Sequence, residues 1–222
     1  MGCKHWCVNY VFPLFVQKHS DHVTSPEGFA IHDLNSSGHL FFTWALPARL
    51  VLNAKKFLAL WENHPPDFHP IKMHGRLLRT PRWQQAFGAD YYYSGNVNKA
   101  LPIPSSLTLV HTWAKDTIDD RLNGILLNWY DGSLGHYIGR HRDSTVNVIP
   151  GTPIVTISLG ETRTFRLRPW KDDNGNRIDF KASNGAVFVM PFATNLSWTH
   201  EVPSFSKSKG LRISITLRAF KS

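Results

Sequence analysis

The triplet His141-Arg142-Asp143 sets an imidazole and a carboxylate two residues apart. On an extended chain such residues point to the same face, so both can meet one ion. A second imidazole, His200, stands far along the chain, just after the strand-like run Ala186 to Phe192. Two histidines and one carboxylate make a facial triad, which leaves positions open on non-haem iron(II) for a co-substrate and oxygen. The triplet alone carries little weight, because twelve histidines are scattered through the chain. His136 is a rival ligand, but it lacks a carboxylate on its own face and reads as a surface or packing residue.

The last strand-like run adds weight. From Leu211 to Arg218, apolar and polar residues alternate strictly. Leu211, Ile213, Ile215 and Leu217 share one face and should pack outward against other elements. Arg212, Ser214, Thr216 and Arg218 share the other. If that face lines an enclosed interior, two guanidinium groups point into it. Buried charge is costly unless paired, so these arginines require an anion. A dicarboxylate supplies one, and the arginine fork suits bidentate carboxylate binding. The competing interpretation is a half-exposed strand whose polar face is solvated. Positions 212 and 218 are separated by roughly 20 Å on an ideal strand, so both side chains must lean toward one ligand or one must serve another group.

The elements that position these residues fall into two parts. Residues 1 to 50 show few periodic signals, and the N-terminal part is expected to supply helices and a cover. Helices are expected from Pro47 to Glu62 and from Ser105 to Asp119, with a Pro- and His-rich loop from Asn63 to Pro70. Residues Ile71 to Arg82 are basic, with Lys72, Arg76, Arg79 and Arg82 and no acid. After Asn123, strand-like runs follow one another: Gly124–Tyr130, Thr152–Leu159, Arg163–Arg168, Ala186–Phe192 and Leu211–Phe220. Turn signals at Ile149-Pro150-Gly151 and Asp173-Asn174-Gly175 separate them. This pattern predicts a mainly β fold with flanking helices, a β-sandwich or jelly roll. An N-terminal, partly helical extension over 1–70 and a catalytic unit over 71–222 are expected.

Composition narrows the partners. A formal charge of +9 favours a polyanion, though an ordinary basic enzyme would share it. The two cysteines, Cys3 and Cys7, cannot build a disulfide framework, so an intracellular compartment is expected. With His5 they make an incomplete zinc site at a terminus that is expected to fray. No apolar run approaches the roughly 20 residues that span a membrane. Pro13 interrupts Val8 to Val16, which argues against a signal peptide, and Trp6 breaks the myristoylation pattern opened by Met1-Gly2-Cys3. A monomer is expected.

Taken together, the motifs resemble the AlkB family of iron(II) and 2-oxoglutarate dioxygenases. Asn128-Trp129-Tyr130, His141-Arg142-Asp143, the run Pro150 to Gly160, His200 and the Arg-x-Ser-x-Thr-x-Arg strand occur in that family's order. Upstream, Pro81-Arg82, Phe87-Gly88 and Tyr91-Tyr92-Tyr93-Ser94-Gly95 look like its nucleotide-recognition segment, here within 71–98. The resemblance covers roughly residues 79 to 220 and implies a double-stranded β-helix core. It implies iron ligation by His141, Asp143 and His200. Arg212 would hold the far carboxylate of 2-oxoglutarate, with Tyr130 and Ser214 assisting and Asn128 and Arg218 nearer the keto-acid end. Tyr91 would stand near the phosphate or base, and Tyr93 would offer a stacking surface.

The implied activity uses O2 and 2-oxoglutarate to hydroxylate an N-methyl group on a nucleic-acid base, releasing formaldehyde, succinate and CO2. One departure bears on the substrate. Relatives that repair methylated bases usually carry an acid two residues after the metal-binding aspartate; here the chain runs Asp143-Ser144-Thr145. Thr145 can hydrogen-bond a base edge, with Arg82 as a further substrate contact, but it brings no negative charge to a cationic base. Two other readings stand beside demethylation of DNA or RNA. One is the same mechanism on a small metabolite or protein side chain, the other a nucleic-acid-binding module without catalysis.

Overall fold

A computed structural model describes residues 28–34, 38–73, 75–93, 95–171 and 176–221. The Cys3–Cys7 cluster, the Met1-Gly2-Cys3 start and the Asp173-Asn174-Gly175 turn lie outside them. The chain opens with β1 (Ala30–Asp33), β2 (Leu40–Ala45), a 3-10 turn (Ala48–Leu50) and α1 (Ala54–Trp61). Two small hairpins, β3 (Pro70–Met73) with β4 (Arg76–Arg79) and β6 (Tyr91–Tyr93) with β7 (Asn96–Asn98), flank β5 (Trp83–Phe87). Next come α2 (Ser105–Thr117), β8 (Gly124–Asp131), β9 (Ile138–His141), β10 (Ile154–Gly160) and β11 (Arg163–Pro169). The chain ends with β12 (Ile178–Ala182), β13 (Ala186–Met190), α3 (Phe192–Ser197), β14 (Trp198–Val202) and β15 (Leu211–Arg218).

The long strands form two layers, as the jelly-roll expectation requires. The major sheet runs β1-β2-β13-β10-β15-β8-β5 and the minor sheet β12-β11-β14-β9, each built from antiparallel pairs. Strict alternation in β15, which lies between β10 and β8, gives it two distinct faces. Ile213, Ile215 and Leu217 face outward, into a core shared with Leu60 of α1 and Leu107 and Val110 of α2. Burying one such side chain contributes about 1.5–3 kcal/mol. Trp129 adds a directed tie, donating from Nε1 to the Leu60 carbonyl at 3.0 Å. Between the layers, Phe41 and Phe188 of the major sheet meet Phe165 of the minor sheet, with Phe165 and Phe188 stacked at 4.7 Å. Gly160 turns β10 into β11 at φ +86, where a side chain would strike the Leu211 carbonyl and the Phe57 ring.

Three local expectations need correction. The helix expected from Pro47 begins only at Ala54, because the Asn53 side chain accepts from Lys56 N at 3.0 Å and caps it there. The N-terminal part is not only helices and cover, since β1 and β2 extend the major sheet beyond β13. Phe41 packs on one face of β2 and Phe42 on the other, and a strand buried on both faces shows no alternation. The run Ala186–Phe192 stops at Met190, where Pro191 opens α3; His200 therefore follows a helix and sits within β14. Among the described residues, no helix is long and apolar enough to cross a membrane.

Candidate active site

Cross-strand pairing in the minor sheet sets His200 of β14 directly opposite His141 of β9. Their rings lie 4.2 Å apart, and both Nε2 atoms face Asp143 Oδ1, at 3.5 Å from His141 and 3.7 Å from His200. The three ligand atoms fall within 4.8 Å of one another, a set that could hold a metal ion. The tautomer of His141 is fixed by geometry. Its Nδ1 donates to the Gly139 carbonyl at 2.8 Å, which frees Nε2 as the lone-pair donor. Burial, helped by His141, drives His200 down to about 3 against the opposing pull of Asp143, so its ring is neutral as ligation requires. Phe165 stacks on that ring at 5.5 Å.

Asp143 is almost fully enclosed, and three groups keep it ionised and aimed. Burial alone would raise its carboxyl, but the Arg218 guanidinium outweighs that and holds it well below the usual range. Arg218 Nε meets Oδ2 at 2.9 Å and its Nη2 makes a second contact to the same oxygen. Asn195 of α3 fixes the backbone, accepting from Asp143 N at 3.0 Å and donating to Asp143 O at 3.1 Å. Tyr91 lies beneath, its hydroxyl 3.5 Å from Oδ1 and its ring 4.6 Å from the Arg218 guanidinium. Burial and the Asp143 charge push this phenol up, so it stays protonated and can donate.

At the other end of β15 the environment reverses. Arg212 has no solvent exposure, and its Nε donates to Ser158 Oγ at 2.9 Å. Both of its terminal nitrogens, Nη1 and Nη2, are buried without a partner. Its carbon sits 5.0 Å from the Tyr130 ring centroid, and burial lowers its pKa. A fully enclosed guanidinium fork with two idle donors fits a carboxylate. The donor set at the triad and this fork line one pocket between the sheets, together with Asn128, Tyr130 and Ser214. These residues therefore fit iron(II) at one end and a dicarboxylate reaching the other.

The remaining expected residues divide. Asn128 does line the pocket, but its Oδ1 already accepts from Arg82 Nε at 2.7 Å. Arg82 is buried deep in the wall rather than placed at an outer surface, and its Nη2 donates to Gln84 Oε1 at 3.2 Å. Tyr93 stands at the edge of the site, stacked on Tyr91 at 6.1 Å and edge-on to His141 at 6.2 Å. Thr145 does not line the pocket. It lies exposed in an adjoining groove with His141, Asp143 and Trp170, where Arg142 covers the Trp170 ring at 4.1 Å. His136 is a buried packing residue between Phe68 and Trp83, accepting from Asp131 N at 3.1 Å. Sequence reasoning missed Asn195, Gln84 and Ser158. Pro191 as a helix start is the signal that would have exposed Asn195, and the pairing of β10 with β15 the one for Ser158.

Comparison with known proteins follows the same lines. Residues 48–218 match the family described as the 2OG-Fe(II) oxygenase superfamily. DNA oxidative demethylase ALKBH2 of Mus musculus is 28% identical over 158 residues, which is 67% of this chain and 65% of that protein. The Homo sapiens protein of the same name is 27% identical over 158 residues, covering 67% of this chain and 60% of its own length. Alpha-ketoglutarate-dependent dioxygenase alkB homolog 3 of Rattus norvegicus is 29% identical over 43% of this chain and 35% of that one. The chain thus spans less than two thirds of the length of these curated relatives. Two solved structures share the fold. One titled "The structure of OsALKBH1" has a TM-score of 0.55 at 13% identity, over 85% of this chain and 99% of that one. An oxidoreductase of the 2OG-Fe(II) oxygenase family from Burkholderia pseudomallei has a TM-score of 0.50 at 17% identity, over 81% and 86%. Because the family match runs over most of the sequence and encloses all three converging ligands, the chain belongs to the 2OG-Fe(II) oxygenase superfamily, with AlkB-family proteins among its relatives.

Proposed function

We propose that this chain is an iron(II)- and 2-oxoglutarate-dependent dioxygenase that removes N-alkyl groups from bases of DNA or RNA. The observation that carries the reading is Arg212, fully enclosed, with two idle terminal nitrogens in the same pocket as the histidine–aspartate–histidine cluster. His141, Asp143 and His200 would hold the iron, and Arg212, with Tyr130 and Ser214, the far carboxylate of 2-oxoglutarate. Asn128 and Arg218 would lie nearer the keto-acid end, Arg218 through the Nη1 that Asp143 leaves without a partner. Once bound, iron, 2-oxoglutarate and O2 supply the oxidant for hydroxylating an N-methyl group, whose product releases formaldehyde. The chain's own residues do the positioning. Arg218 and Asn195 orient Asp143, Gly139 orients His141, and Tyr91 offers its proton to the Asp143 carboxylate. The enclosing sheets exclude water.

The nucleic-acid part rests on the surroundings of the pocket. Tyr93 at its edge is a candidate stacking surface for an unpaired base, worth about 1–3 kcal/mol. Exposed Lys72 and Arg76 on the β3–β4 hairpin supply charge for phosphates, and the hairpin abuts the turn at Gly95. Relatives at 27–29% identity carry the name DNA oxidative demethylase. The test is anaerobic loading with iron(II) and 2-oxoglutarate, then oxygen with a panel of methylated oligonucleotides and nucleosides. Formaldehyde matched by succinate supports the reading. Succinate coupled only to a small metabolite or a peptide would replace the substrate class, and no iron-dependent succinate would remove the enzyme.

A further inference from the structure

The walls of the pocket carry an excess of positive charge that the metal and 2-oxoglutarate do not absorb. Among the described residues lining it, the guanidinium groups of Arg82, Arg212 and Arg218 face one carboxylate, Asp143, which is already bonded to Arg218. Iron(II) and the 2-oxoglutarate dianion cancel each other, and imidazoles that ligate a metal are neutral. The pocket therefore keeps a net positive charge, and with Arg218 bonded to Asp143 and Arg212 assigned to the far carboxylate, Arg82 is the guanidinium left for the substrate to meet.

Arg82 is the arginine for which the proposed co-substrate has no use. It is buried, and the two acceptors it engages, Asn128 Oδ1 at 2.7 Å and Gln84 Oε1 at 3.2 Å, are neutral amides that leave its charge standing. Committing the Gln84 carbonyl to Arg82 leaves the buried Gln84 Nε2 with no acceptor. The wall therefore presents donors and positive charge, and a ligand satisfies it only by bringing acceptor oxygens. Thr145, in the adjoining groove, adds a hydroxyl and no negative charge. A cationic base would enter against like charge in a poorly solvated space.

We infer that this site selects neutral N-alkylated bases that present a carbonyl oxygen, of the 3-methylthymine or 3-methyluracil kind, over cationic bases such as 3-methylcytosine or 1-methyladenine. The inference rests on the nucleic-acid demethylase reading above. Arg82 and Gln84 would donate to the base carbonyl, which makes them specificity-determining rather than structural.

The test compares 3-methylthymine with 3-methylcytosine in one single-stranded DNA sequence, so that duplex opening plays no part. Formaldehyde release gives kcat/KM, and fluorescence anisotropy of the anaerobic complex gives Kd. The expected preference for 3-methylthymine is about tenfold or more in kcat/KM, as a like charge at contact range in a protein interior demands. Arg82→Gln should narrow that ratio. Gln84→Glu, which sets a carboxylate beside Arg82 in the wall, should narrow it by improving 3-methylcytosine binding. Equal or better turnover of 3-methylcytosine by the unaltered protein would overturn the inference and leave the demethylase reading standing. A ratio unmoved in both variants would overturn it too. Formaldehyde from neither base, nor from any other in the panel, would overturn the demethylase reading and the inference with it.

Discussion

Arg212 and Arg218 leave the same face of one strand, and both are almost wholly buried, yet their surroundings give them different work. Arg218 finds a carboxylate inside the protein and spends its charge holding a metal ligand. Arg212 finds one serine hydroxyl, and its two terminal nitrogens stay idle. The spacing of roughly 20 Å noted for an ideal strand is thereby resolved: the two side chains need not converge on one ligand. The difference is one of degree and of partner: Arg218 keeps only Nη1 without an acceptor and faces a carboxylate, whereas Arg212 keeps both terminal nitrogens and faces a neutral hydroxyl.

Removing each arginine should separate these roles. Arg218→Met leaves Asp143 buried without its counter-charge, and chemical denaturation should register a loss of about 3–5 kcal/mol. Metal affinity should fall with it, because the carboxylate then protonates more readily. Arg212→Met removes a guanidinium whose forks are unsatisfied, so denaturation should find stability unchanged or slightly raised. Calorimetric titration of 2-oxoglutarate onto that variant should nevertheless show binding weakened by about 2–4 kcal/mol, the cost of leaving the carboxylate without its paired donors. Equal stability losses in the two variants would break the contrast between scaffold and ligand arginine.

Both arginines were legible in the sequence because polar and apolar residues alternate in β15 without interruption, and His141 and Asp143 because two residues on an extended chain share a face. Arg212's partner was not, since Ser158 is brought to it only by the pairing of β10 with β15. The N-terminal strands escaped notice for a related reason: Phe41 and Phe42 are both buried, on opposite faces of β2, so the period of two disappears. Asn195 was hidden by its setting, on a helix of six residues past the end of the run read as Ala186–Phe192. Arg82 was readable as basic, but only the fold takes it from the exterior to the pocket wall.

Asn195 provides the smallest and most local test of the same contrast. Asn195→Ala removes two hydrogen bonds to the backbone of Asp143 while leaving Arg218 and the carboxylate in place. A stability loss of about 1–3 kcal/mol is expected, with a weaker metal complex and 2-oxoglutarate affinity reduced only through the metal.

The most direct measurement of the central claim is anaerobic calorimetry of iron(II) and 2-oxoglutarate binding to the intact chain and to His200→Ala and Arg212→Met. The account predicts one equivalent of each ligand for the intact chain, iron lost in His200→Ala, and iron retained but 2-oxoglutarate weakened in Arg212→Met. Iron bound as tightly without His200, or 2-oxoglutarate held as well without Arg212, would contradict it.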